Sequence, residues 1–322
     1  MPAALDLPSG YDELNRYSRI IADEALCRGI AVEVLDPAAG ELALSFGHRR
    51  VSTLESLSEL TSAVAFRRCD HKWYTRQVFV RAGLRVAEGT MATFDERDEA
   101  FLAKWGDIVV KPVRGEQGRG ITVGVDRAGL GVAIATARAT CPEVLLERRC
   151  EGEDLRIVVI GTEVVAASVR RPPVVVGDGR RTIAMLTFEL SATRMAATGG
   201  SSRVPVDDTT ESVVRSAGYH LDDVLASGIQ LTVRRTANLH TGGTIHDVTD
   251  DLHPQLAEVA LAAAAAIEAP VLGLDMIVPS VAGPEYALIE ANEQPGLANH
   301  EPRPTAARFV DLLFPETAQR SS

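Results

Sequence analysis

One carboxylate constrains this chain more than any other feature. Asp275 sits inside Val271-Leu272-Gly273-Leu274-Asp275-Met276-Ile277-Val278, an otherwise apolar run that reads as a buried strand. A carboxylate there is costly unless it is paired, hydrogen-bonded or bound to a cation. A second apolar run, Tyr286-Ala287-Leu288-Ile289, ends in Glu290-Ala291-Asn292. In an extended chain Glu290 and Asn292 point to one side. Taken alone, an E-x-N triplet reads more readily as surface polarity than as a site. Pairing the two strands changes that reading, because Asp275, Glu290 and Asn292 then meet as an all-oxygen set suited to Mg²⁺.

The bulk numbers exclude some classes. A chain of 322 residues can build two or three subdomains around a sizeable core. A formal charge of −11 argues against a general nucleic-acid surface. The apolar runs are too short for a bilayer, and the start, M-P-A-A-L-D-L-P, shows no secretory pattern. Cys27, Cys69, Cys141 and Cys150 lack C-x-x-C spacing and read as reduced thiols. The expectation is a cytoplasmic protein with neither a membrane nor a nucleic acid as partner.

Periodicity predicts a helix over 14–29, closed by Gly29, and a strand over 30–35, a small α/β unit at the front. A helix is expected over 70–82, and short strands at 108–110, 121–123 and 144–146. Residues 155–160 and 164–169 read as a hairpin. The stretch 199–232 reads as an excursion with a short helix near Leu221–Ala226. A helix over 255–268 and strands over 271–278 and 286–291 complete the pattern.

Several groups could carry chemistry. V-V-K-P-V-R-G-E-Q-G-R-G (109–120) sets Gly115, Gly118 and Gly120 between two strands. Such a turn is either a plain hairpin or a lid whose amides approach phosphates. It is neither a Walker A loop nor a dinucleotide fingerprint, both of which open a helix. Lys111 just before it, and Lys72 in C-D-H-K-W, are candidate phosphate partners; a solvated helix lysine is the other reading for Lys72. R-R-T-A-N-L-H-T-G-G-T (234–244) offers an arginine, an asparagine and paired glycines to a charged substrate. Arg170 ends a strand, and Arg156 within L-R-I-V-V-I needs an anion if it points inward; a surface salt bridge is the alternative for each. His240, His246 and His253 have no metal-ligand spacing. His240 could lie near substrate, with His300 at the same rim.

Two lysines, a glycine turn, an acid-rich hinge, R-x-x-N…G-G and D…E-x-N, in this order, resemble the ATP-grasp superfamily of carboxylate–amine ligases. The likeness runs from about Asp70 to Pro315. G-Y-H-L-D-D-V-L-A-S-G followed by R-R-T-A-N-L-H-T-G-G-T is similar to cyanophycin synthetases and to the ATP-grasp half of bifunctional glutathione synthetases. R-I-I-A-D-E-A-L-C-R-G-I-A-V-E-V-L-D resembles their pre-ATP-grasp region. L-S-E-L-T-S-A-V-A, R-G-E-Q-G-R-G, A-A-T-G-G-S-S-R-V-P and E-A-N-E-Q-P-G-L-A-N-H-E-P resemble the N-acetylglutaminylglutamine synthetases.

The resemblance implies an α/β (α+β) ATP-grasp fold with a pre-ATP-grasp segment at 1–69, a lid subdomain at 70–145 and a C-terminal subdomain at 146–322. It implies ATP and Mg²⁺ (or Mn²⁺) as cofactors, small amino-acid-derived substrates, and a homodimer as one expected state. By position, Lys72 and Lys111 would meet phosphates, with Gly115, Gln117, Gly118 and Gly120 closing over them. Glu147 would lie at the adenine hinge and Asp154 on the ribose. Asp275, Glu290 and Asn292 would hold the metal. Arg170 and Arg235 match arginines near the transferred phosphate and the carboxylate. Asn238, Gly242 and Gly243 match the substrate loop, with Arg156, His240, Pro295 and Gly296 also on the substrate side. The implied activity is amide formation through an acyl phosphate. A kinase-like or polymer-forming enzyme and a non-catalytic nucleotide sensor are the other readings. The retained lysines and D…E-x-N speak against the sensor.

Overall fold

Asn15 starts the first helix, α1 (Arg16–Cys27), by accepting hydrogen bonds from the N–H groups of Tyr17 and Ser18 at 2.9 and 3.0 Å. These donors have no partner inside the first turn, so the cap fixes where the helix begins. The computed structural model describes residues 7–116, 118–200 and 202–318. Strands β1 (Ala31–Asp36), β2 (Glu41–Phe46), β3 (Arg49–Leu54) and β4 (Leu57–Ser58) follow as an antiparallel sheet in that order.

The helix expected over 70–82 is α3 (Lys72–Arg81), and a further helix that was not expected, α2 (Ala63–Asp70), precedes it. His71 between them is extended, with φ −116° and ψ 96°, so Asp70 ends one helix and Lys72 opens the next. Then come β5 (Gly89–Met91), α4 (Glu96–Trp105), β6 (Ile108–Pro112), β7 (Thr122–Val125), α5 (Leu130–Arg138) and β8 (Val144–Arg148). Their strands form a sheet in the order β5-β8-β6-β7. Next are β9 (Glu153–Ile160), β10 (Glu163–Arg171), β11 (Val174–Val176), α6 (Ile183–Ala197), α7 (Asp208–Ser216) and β12 (Gln230–Thr232). The chain closes with β13 (Thr244–Asp247), α8 (Pro254–Ile267), β14 (Val271–Val278), β15 (Ala287–Asn292) and α9 (Thr305–Leu313). A five-stranded sheet runs β13-β10-β9-β14-β15, and β11 pairs with β12.

No helix forms at Leu221–Ala226. The carbonyls of Leu221 and Asp223 accept from the N–H groups of Ala184 and Ile183, and Val224 bridges Thr182, so this backbone is committed to the start of α6. Among the described residues no helix is long and apolar enough to cross a membrane.

The chain divides into two units, each assembled from separated stretches. One comprises Met1–Val86, Leu155–Ser168 and Asp247–Ser322; the other comprises Ala87–Asp154 and Val169–His246. These boundaries differ from the contiguous segments 1–69, 70–145 and 146–322, because sheets gather strands that are distant in sequence. The first unit packs Ile21, Ile30, Leu42 and Leu44 against Val158, Val271 and Phe309. The second holds two clusters. Ile108, Val110, Leu102 and Leu146 pack in one; Ile183, Val214, Leu225 and Leu231 pack in the other.

Helix α7 carries a charged cap. Asp207 Oδ1 accepts from the Thr210 N–H at 3.0 Å and from Arg234 Nη1 at 2.8 Å. Burial alone would raise this carboxyl, but the Thr210 hydrogen bond and the Arg234 charge outweigh it and hold it below the usual range. A depressed acid stabilises the fold above its ordinary value of 3.8 and loses that contribution as pH falls through its folded value. Asp207→Asn keeps a capping oxygen and drops the charge. Urea melts should show the parent more stable than this variant near neutrality, with the difference vanishing well below pH 3.8.

Candidate active site

The strands β14 and β15 run antiparallel with Asp275 opposite Glu290 and Gly273 opposite Asn292. Residues two apart on a strand share a face, so the three oxygen-bearing side chains stand together on one side of the sheet. Past Asp275 the register shifts, pairing Met276 with Leu288 and leaving Ile289 as the extra residue of a bulge.

Each carboxylate has a cation. Arg156 on β9, the strand beside β14, grips Asp275 with both arms of its fork; Nη2 lies 2.9 Å from Oδ2, and Nε donates to Oδ1. Asp275 is only 6% exposed, so this pairing is what makes an acid tolerable in an apolar strand. Gly273 leaves room for it. A Cβ there would lie 2.9 Å from Arg156 Nη1 and 2.9 Å from Pro295 Cβ. On the opposite strand Lys72 Nζ lies 3.0 Å from Glu290 Oε1, with the lysine side chain buried. Arg156, expected to need an anion, finds Asp275; Lys72, expected on phosphate, is held by Glu290. Nearby, burial and then the negative charge of Glu293 push the Cys69 thiol well above its ordinary range. Among the described residues no group of three or more His, Cys, Asp and Glu side chains is placed to hold a metal. The set here is two carboxylates and an amide.

The second unit carries the other candidates. Lys111 on β6 and Glu147 on β8 are both buried and meet at 2.5 Å. Gly115, Gly118 and Gly120 all have positive φ in the turn between β6 and β7, and Gln117 lies outside the described residues. Asp154 at the start of β9 accepts from Arg170 Nη2 at 2.7 Å and from Nε at 3.2 Å. The arginine expected near a phosphate therefore neutralises the acid expected on a ribose.

Arg235 departs further from expectation. Its guanidinium donates to the Val123 carbonyl at 3.0 Å and to Ser216 Oγ at 2.8 Å. The Asn238 side chain turns back on its own loop, accepting from the His240 N–H at 2.8 Å, while its carbonyl accepts from Gly243 at 2.9 Å. Gly242 lies between them at the end of the same turn. In the first unit, Pro295 accepts through its carbonyl from Ser56 Oγ at 2.7 Å, and Gly296 lies against the Tyr17 ring. The other histidines serve locally: His246 Nε2 is 3.0 Å from Thr244 Oγ1, and His253 Nδ1 caps α8.

Sequence reasoning missed Arg303, whose Nη2 bridges Asp247 and Asp250 at 2.6 and 2.7 Å. It also missed Gly273, although a glycine inside an apolar strand, two residues from its only acid, signals a close approach.

This mixed α/β arrangement of helices and antiparallel sheets is shared with proteins of ATP-grasp fold. Residues 69–178 match the RimK-like ATP-grasp domain. The chain is 32% identical to the cyanophycin synthetase of Geminocystis herdmanii over 321 residues, 94% of this chain and 37% of that protein. It is 27% identical to the glutathione biosynthesis bifunctional protein GshAB of Clostridium perfringens, over 95% of this chain and 42% of the other. The crystal structure of a bifunctional glutathione synthetase from Pasteurella multocida matches with a TM-score of 0.65 and 24% identity, covering 96% of this chain and 44% of that one. The chain thus spans less than half the length of these relatives.

Arg156→Met should leave the Asp275 carboxylate buried without its fork and cost about 3–5 kcal/mol in urea unfolding. Adding Asp275→Asn should return most of that loss. A cost below about 1 kcal/mol for the single variant would show that the pair is solvated and contributes little.

Proposed function

We propose that this chain is an ATP-dependent ligase that joins a carboxylate to an amine, with Mg²⁺ or Mn²⁺ as the metal, and releases ADP and phosphate. The observation that carries the reading is the register of β14 on β15, which sets Asp275, Glu290 and Asn292 on one face. The donor set suits a hard dication, being all oxygen with two negative charges. That face already balances two cationic side chains, Arg156 and Lys72. When bound, the metal would offset charge on the phosphoryl group in transfer.

The chain's own residues would do the rest. Lys111 and the amides of the Gly115–Gly120 turn would hold phosphates, with Glu147 at the adenine and Asp154 at the ribose. Arg170 and Arg156 would face the anionic groups of the substrate, with Asn238, His240, Gly242, Gly243, Pro295 and Gly296 shaping its loops. The substrate carboxylate attacks the γ-phosphorus of ATP, giving an acyl phosphate and ADP. The amine then attacks the carbonyl carbon and phosphate leaves, so no covalent protein nucleophile is needed.

For substrates we propose N-acetylglutamine as acyl donor and glutamine as amine, giving N-acetylglutaminylglutamine. The motif likeness from R-G-E-Q-G-R-G to E-A-N-E-Q-P-G supports this choice. The similarity to cyanophycin synthetases and GshAB proteins supports a second reading, a ligase of the same chemistry acting on other amino acids or on a peptide primer.

The test is incubation with ATP, Mg²⁺ and both amino-acid substrates, following ADP, phosphate and product mass. Release of ADP that needs both substrates, with a product of the dipeptide's mass, is the expected result. ADP formation with the carboxylate alone would indicate a kinase, and dependence on a peptide primer would favour the second reading. Glu290→Gln should lower turnover by roughly 10²-fold or more while circular dichroism stays unchanged. Activity near the parent level would remove Glu290 from the site.

A further inference from the structure

Arg235 sits in the sequence where a substrate-binding arginine is expected, yet its hydrogen bonds go to the glycine hairpin and to a helix end. Nη1 donates to the carbonyl of Val123 on β7, and Nη2 to Ser216 Oγ at the last residue of α7. The hairpin is shaped to receive it. Gly124, the next residue on β7, has φ +78°, and a Cβ there would stand 1.8 Å from Arg235 Nη1 and 3.1 Å from Cζ. A Cβ there would force the guanidinium to move, and the positive φ itself disfavours any other residue, so Gly124 leaves Arg235 its present place. A carboxylate borders the same gap. The Gly124 Cβ position is 3.6 Å from Asp107 Oδ1, a buried oxygen with no hydrogen-bond partner among the described residues. That carboxylate is paired through Oδ2 with Arg149 Nη1 at 2.6 Å, so the two hydrogen bonds of Arg235 carry its hold on the hairpin.

The same loop approaches the turn of the hairpin. Asn238 Nδ2 lies 3.9 Å from the Cβ position of Gly118. Between Arg235 and Gly243 the chain thus meets the hairpin at two places.

We propose that Arg235 is a positioning residue, a latch that holds the β6–β7 hairpin against the Arg235–Gly243 loop, and that it acts on nucleotide binding rather than on the transferred phosphate. This rests on the ligase reading only where turnover is measured. With the latch in place, the hairpin amides are held ready for phosphates, and their ordering is not left to the nucleotide itself.

Three variants test it: Arg235→Met, Arg235→Lys and Gly124→Ala. Hydrogen exchange of the Thr122–Val125 amides requires neither nucleotide nor turnover. It should speed up in Arg235→Met and lie between that variant and the parent in Arg235→Lys, which keeps one donor. In activity, KM for ATP should rise roughly fivefold in Arg235→Met, with kcat changed by less than about twofold. Gly124→Ala should cost more in KM when Arg235 is present than in the Arg235→Met background, because the collision exists only with the guanidinium. Unchanged exchange in Arg235→Met overturns the latch even if no ligase activity is found. A kcat loss with unchanged KM and exchange also overturns it, returning Arg235 to the phosphate. Failure of every substrate pair, with the exchange result intact, refutes the ligase reading and leaves the latch standing.

Discussion

The fork of Arg156 on Asp275 is the interaction from which the rest of the first unit follows. An apolar strand buried along nearly its whole length carries one acid, and burial of that acid demands a cation from the adjoining strand. The cation demands a glycine two residues earlier, because Gly273 is the floor on which the guanidinium lies. The opposite strand then presents Glu290 at the matching position, and its charge in turn draws in Lys72 from α3. Sheet register, a glycine and two basic side chains are thus consequences of one charge. The face they build is electrically balanced while keeping its oxygens grouped.

The second unit solves a comparable problem by another route. Lys111 and Glu147 meet diagonally from adjacent strands, both nearly sealed from solvent. Neither charge could be buried alone. The glycine turn that follows Lys111 needs positive φ at several places, and the loop after β12 supplies Arg235 to brace it.

Much of this was legible in the sequence where residue type and spacing report local physics. The helix closed by Gly29, the strands around Asp275 and Glu290, the hairpin of β9 and β10, and α8 all follow from periodicity and punctuation. The convergence of Asp275, Glu290 and Asn292 followed from treating a buried acid as a cost. What escaped depended on partners far along the chain. Leu221–Ala226 has helical composition, but α6 claims its carbonyls. Helix α2, just ahead of the expected α3, has no flanking proline or glycine to mark it. Helix α6 itself lies in a stretch whose apolar residues do not trace a clear stripe, since Met185 and Phe188 are exposed while Thr187 is buried. The side-chain pairings were the least visible. Nothing in R-R-T-A-N reveals that the second arginine reaches back to Val123, and nothing in G-E-D-L-R reveals that Asp154 takes Arg170 while Arg156 takes Asp275.

The turn that follows Asn292 rests on the opening sixty residues. Ser56 binds the Pro295 carbonyl, Glu55 accepts from Gln294, Arg16 donates to the Ala298 carbonyl, and the Tyr17 ring lies beneath Gly296. That footing makes the front segment a structural support of the strand end. Replacing the front segment would withdraw a hydroxyl, an acid, a guanidinium and an aromatic plate from beneath that turn at once.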